Sequence, residues 1–89
     1  MKQFNVFVVL SDSTLKVKKD GHSNFESFNA AYEVALDQVK VFETSKGTGT
    51  VYVLETSNPN QYEPWWRFDV DKGEVNSVDF GFDEFFLED

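Results

Sequence analysis

Residues 23–44 read SNFESFNAAYEVALDQVKVFET, and the fold turns on how far this stretch stays helical. Phe25, Phe28, Tyr32, Ala35, Leu36, Val39 and Phe42 recur at helical spacing and mark a stripe for burial. Glu26, Glu33 and Asp37 fall on the opposite side. Ser23 and Glu26 stand in the relation of a capping box, in which each side chain satisfies the other's free backbone amide, so a helix is expected to start there. Its end is ambiguous. Residues 38–44 also alternate as a strand does, so the helix could stop near Leu36 and hand over to VKVFET. The reading adopted here carries the helix to about Phe42.

Outward from this helix the chain is strand and turn. Residues 4–10 are apolar on both faces, with Phe4, Val6, Val8 and Leu10 on one and Phe7 and Val9 on the other, as in a strand covered on both sides. Ser11-Asp12-Ser13 turns the chain. Residues 14–18 alternate, Leu15 and Val17 inward and Thr14, Lys16 and Lys18 outward. Outward lysines suit an edge strand, where charge discourages further pairing. Residues 19–22 turn again. After the helix, residues 45–49 form a breaker loop, and residues 50–56 read as a strand with Val51 and Val53 opposite Tyr52 and Leu54. Residues 57–60 read as a turn. Residues 65–70 form the next strand, with Pro64 tolerated at its start. Asp71-Lys72-Gly73 is a hairpin turn, residues 74–80 return, and Phe82, Phe85 and Phe86 have the spacing of one further helical turn. The order β-β-α-β-β-β specifies a single α+β domain over residues 1–89. One main helix packs on a twisted antiparallel sheet of about five strands.

Charge narrows the function. The chain has 89 residues, a net charge of −8 and no cysteine. Direct binding to nucleic acid or to an anionic membrane is disfavoured, because both require cations at phosphate groups. A basic partner fits. No disulfide or thiolate metal site is possible, and no apolar run reaches the ~18–20 residues of a membrane span. The opening MKQFNVFVVLSDS has too short an apolar run, and no small-residue cleavage site, for a signal peptide.

No catalytic motif emerges, and no cofactor or metal is expected. His22 sits in a polar loop without nucleophile or metal-ligand context. Asp69-Val70-Asp71-Lys72-Gly73-Glu74 resembles a calcium loop, but glycine comes at the fifth place and Phe80 occupies the twelfth. Lys46-Gly47-Thr48-Gly49 lacks the spacing of a phosphate-binding loop. Strand alternation places Trp66, Phe68 and Val70 under the helix, and Trp65, Arg67 and Asp69 on the other face. If that face is open, Trp65 is an interface anchor beside an arginine; the other reading covers Trp65 with the phenylalanine-rich C-terminus. The carboxylates are either a solvated surface or a spaced array imitating nucleic acid. The second reading names Glu26, Glu33 and Asp37 on the helix, Asp69 and Asp71 on the hairpin, and Asp83 and Glu84 beyond it as contacts for a basic groove. A homodimer through Trp65 and residues 82–87 is the alternative.

Thr50-Val51-Tyr52-Val53-Leu54, Thr56-Ser57, Tyr62-Glu63-Pro64-Trp65 and Asp71-Lys72-Gly73 together resemble the corresponding hairpins of the phage uracil-DNA glycosylase inhibitors. The resemblance covers about thirty residues of the C-terminal half and no contact residue of the family is carried over. It implies a small acidic protein, helices against a five-stranded antiparallel sheet, that blocks an enzyme by imitating DNA. The chain is also similar in character to phage anti-defence proteins, including anti-CRISPR and anti-restriction inhibitors. That likeness implies a host protein that binds nucleic acid as partner and the cytoplasm of the host bacterium as the place of action.

Overall fold

The computed structural model describes residues 3–58 and 61–79. Five strands and one helix follow in the order β1 (Gln3–Val9), β2 (Thr14–Lys16), α1 (Phe28–Ser45), β3 (Gly49–Asn58), β4 (Gln61–Asp71) and β5 (Glu74–Asp79). The strands form one antiparallel sheet in the order β2-β1-β3-β4-β5, so the expected α+β architecture stands. The alternation of β1 and β3 decides which face is buried. Val6 pairs with Val53 and Val8 with Val51, putting these valines on the side that α1 covers. Phe7 and Tyr52 pair on the other side.

The helix contributes mainly small and β-branched residues to the core. Ala31, Val34, Ala35 and Val39 are buried, and the alanines let the helix backbone approach the sheet. Ala31 and Val34 lie outside the stripe read from the sequence, whereas Phe28, Tyr32, Leu36 and Phe42 pack around the core only half-buried.

The start of α1 departs from expectation, and its end runs a little past Phe42, to Ser45. The start is four residues later than the Ser23 capping box requires. Phe25 exchanges two backbone hydrogen bonds with Phe4, each 2.8 Å, and this sheet-like pairing holds it extended. The N-cap is Ser27, whose hydroxyl accepts from the Ala30 amide at 3.1 Å. Glu26 therefore precedes the helix and does not lie on its outer face. At the other end the helical reading of residues 38–44 is correct. The Gly47 amide donates to the Phe42 carbonyl at 2.9 Å and the Lys46 amide to that of Glu43 at 3.4 Å. Together these bonds close a Schellman motif. Lys46 occupies its left-handed position, φ 59°, where glycine is the usual residue.

Strand boundaries also shift, with β2 ending at Lys16 and not at Lys18. Ser57 and Asn58 belong to β3, not to a turn, and β4 starts at Gln61, so Pro64 lies inside a strand. Leu15 lies beside Val8 on the helix side but is 55% exposed. β2 is the sheet's outermost strand there, and α1 packs over β1, β3 and β4. The expected helical turn at residues 82–86 lies outside the described residues.

A non-glycine residue held in the left-handed region loses roughly 1–2 kcal/mol. Lys46→Gly is therefore expected to stabilise the protein by about 1 kcal/mol. The measurement is a higher urea midpoint with an unchanged slope.

Candidate interaction surfaces

Trp65 is where the sequence reading and the structure part most. β4 runs between β3 and β5, and a proline inside such a strand is tolerated at a bulge. The bulge is present: Val53 pairs with Trp66 and Leu54 with Pro64, leaving Trp65 as the extra residue. A bulge breaks the period-two alternation, so neighbouring side chains need not point to opposite faces. Both tryptophans meet the N-terminal end of α1. The Trp65 ring lies 5.0 Å from that of Phe4 and 5.4 Å from that of Phe28, and the Trp66 ring 5.2 Å from that of Tyr32. Trp65 is thus not on the face of Arg67 and Asp69, and the expected interface anchor is a packing residue.

Trp65 holds a carboxylate in place as well. Its Nε1 donates to Glu55 Oε1 at 3.0 Å, and Glu55 is 7% exposed. A buried carboxylate needs such a donor, because leaving it unsatisfied is strongly unfavourable. Trp66 Nε1, by contrast, is enclosed with no hydrogen-bond acceptor among the described residues.

The sheet face away from α1 carries Arg67 and Asp69, as the alternation predicts. Arg67 Nε lies 3.1 Å from Asp69 Oδ2, and Thr50 donates to Asp69 Oδ1 at 3.4 Å. Tyr52 pairs with Arg67 across the strands, and the Lys16 ammonium sits 5.9 Å above the Phe7 ring. A surface ion pair of this kind contributes roughly 0–1 kcal/mol. It positions the arginine more than it stabilises the fold.

The remaining expected contacts with described side chains, Glu33, Asp37, Asp71 and Glu26, are exposed at separate places. Glu33 and Asp37 are exposed on α1, one turn apart, and Lys40 follows on the same outward side. Asp71 and Glu74 flank the β4–β5 turn, where Lys72 and Gly73 take φ of 51° and 85°. These two positive values make a hairpin turn, not a calcium loop. The turn docks at the C-terminal end of α1 through a hydrogen bond from the Gly73 amide to the Gly47 carbonyl, 3.0 Å. Thr48 donates to Asp71 at 3.5 Å and accepts from the Lys72 amide at 3.1 Å. Glu26 is exposed just before the helix. Asp83 and Glu84 lie outside the described residues.

Sequence reasoning missed two features, the buried Glu55 and the wholly buried Asn5; the turn it read at residues 19–22 is present, as a tight hairpin. Among the described residues no group of three or more histidines or carboxylates is placed to hold a metal ion, and no helix is long and apolar enough to cross a membrane. No protein-family model matches the chain, and no curated protein and no solved structure matches it.

The two indoles have different duties, and phenylalanine separates them. Trp65→Phe removes one donor to the buried Glu55 and is expected to destabilise by about 1.5–3 kcal/mol. Trp66→Phe removes an indole N–H that has no acceptor among the described residues and is expected to fall at least 1 kcal/mol short of that loss. Urea unfolding followed by far-ultraviolet circular dichroism compares them.

Proposed function

We propose that this chain is a non-enzymatic inhibitor that occupies the nucleic-acid site of a basic host protein by imitating DNA. The reading rests chiefly on Glu33 and Asp37, both exposed on the outward side of α1. Four residues along a helix span about 6 Å, so the two charges are spaced on the scale of neighbouring phosphates of a nucleic-acid strand. A like-charged pair at this spacing weakens a helix by a few tenths of a kcal/mol. Neither side chain belongs to the core cluster, so the pair fits a role at the surface better than one in folding. Asp71 and Glu74 extend the charge from the hairpin docked at the helix end.

In this account the lysines and arginines of the partner's groove, which ordinarily neutralise phosphates, meet carboxylates instead. Opposite charge steers the encounter and raises the association rate, more than it adds to affinity. Blocking a glycosylase, a restriction enzyme or a CRISPR effector are the roles that suit such a protein in an infected bacterial cytoplasm.

The test is binding to a panel of purified nucleic-acid enzymes at low salt: a uracil-DNA glycosylase, a restriction endonuclease and a CRISPR effector nuclease. One should bind, release as salt rises, and be displaced by duplex DNA. Glu33→Lys with Asp37→Lys should weaken that binding at least tenfold while leaving the urea midpoint unchanged or slightly raised. No binding to any of them at low salt, or binding indifferent to both salt and DNA, would refute the proposal.

A further inference from the structure

The geometry points to residues 18–22 as a second interaction surface: a rigid cationic projection that seats on a compact carboxylate patch of a folded partner protein. The β2 register creates it. Had that pairing continued along β1, Phe4 would face Lys19; it faces Phe25 instead, so six residues are pushed out from the sheet edge. They close as a tight hairpin. Lys19 and His22 exchange two backbone hydrogen bonds of 2.8 and 2.9 Å around Asp20 and Gly21, whose φ values are 54° and 81°. Positive φ at both central residues gives a two-residue hairpin turn, a well-defined shape.

Its base is fastened from inside. Asn5 is 0% exposed. Its amide nitrogen donates to the Ser23 carbonyl at 2.8 Å and to Asn24 Oδ1 at 2.7 Å, and Thr56 donates to its oxygen. A buried side-chain amide with these partners holds the projection to β1 and β3. A loop fixed by a rigid scaffold in this way is suited to recognition.

Its charge opposes that of the molecule. Lys16, Lys18, Lys19 and His22 are all exposed. Lys18 and Lys19 against Asp20 give residues 18–22 a net charge of +1, and Lys16 on the adjoining β2 brings residues 14–22 to +2, against −10 for the rest of the chain. Lys16, on β2 itself, also fits the role of guarding a strand edge. Lys18 and Lys19 lie beyond β2, where that role does not apply. A nucleic-acid strand is a poor occupant: three cations neutralise few phosphates, and the continuing strand meets the acidic body. A compact acidic patch on a protein meets the projection alone. This surface is on a different element from Glu33 and Asp37 and does not depend on what they bind.

The test uses amide nuclear magnetic resonance of the full chain with hexaglutamate as the carboxylate probe, at constant ionic strength. Hexaglutamate should shift the amides of Lys16, Lys18, Lys19 and His22. Lys18→Glu with Lys19→Glu, both at exposed positions, should weaken that response at least tenfold. A thymidine hexanucleotide should give a smaller response. Three results would overturn the inference: no response beyond that of sodium chloride, a larger response to the oligonucleotide, or the same shifts without probe as protein concentration rises, which would make a second copy the occupant.

Discussion

The extra residue at Trp65 is the constraint on which the rest of the structure depends. Without that bulge in β4, Trp65 and Trp66 would point to opposite faces. With it, both rings pack at the N-terminal end of α1 among Phe4, Phe28 and Tyr32. Aromatic pairs of this kind add roughly 0.5–1.5 kcal/mol each beyond their buried area. Elsewhere the helix offers the core alanine and valine. The aromatic end fixes how α1 sits, and the small residues let it lie close. The bulge also brings an indole N–H to Glu55, so that a carboxylate can stay on the buried side of β3.

Charge is handled in the opposite way to the rings. Apart from Glu55, the carboxylates with described side chains are exposed or half-buried. Such charges contribute little to folding, because water and salt screen them within about 10 Å. In the function proposed above, their sum, a net charge of −8, steers a basic partner at close approach and disfavours nucleic acid. The cationic hairpin at residues 18–22 opposes that charge. An acidic helix face and a basic projection on one molecule make its charge distribution directional.

Much of the fold was legible in the residues. The period of two in β1 and β3, the helical stripe through Phe28, Tyr32 and Val39, and the Lys72-Gly73 turn led to the right architecture. Each is a local pattern, readable without knowing its neighbours. What was not legible came from tertiary contact. Ser23 with Glu26 is a sound capping box by sequence, yet Phe25 pairs with Phe4 and forces the helix to begin after Ser27. Trp65 was placed by alternation, which a bulge suspends; Pro64 in an inner strand was the available clue. Of the expected contact residues, Glu33, Asp37, Asp71 and Glu26 are exposed as required, and Arg67 with Asp69 shares the face away from α1. Asn5 was unreadable, since its value lies in a loop that only the folded register creates.

The most direct test of this account is the position of the Trp65 ring, read from nuclear Overhauser contacts of its indole protons in solution. Contacts to the rings of Phe4 and Phe28 are the expected result, and they would establish the bulge that sets the fold. Contacts to Tyr52 and Leu54 instead would place Trp65 on the sheet face away from the helix, restore unbroken alternation in β4, and contradict the account.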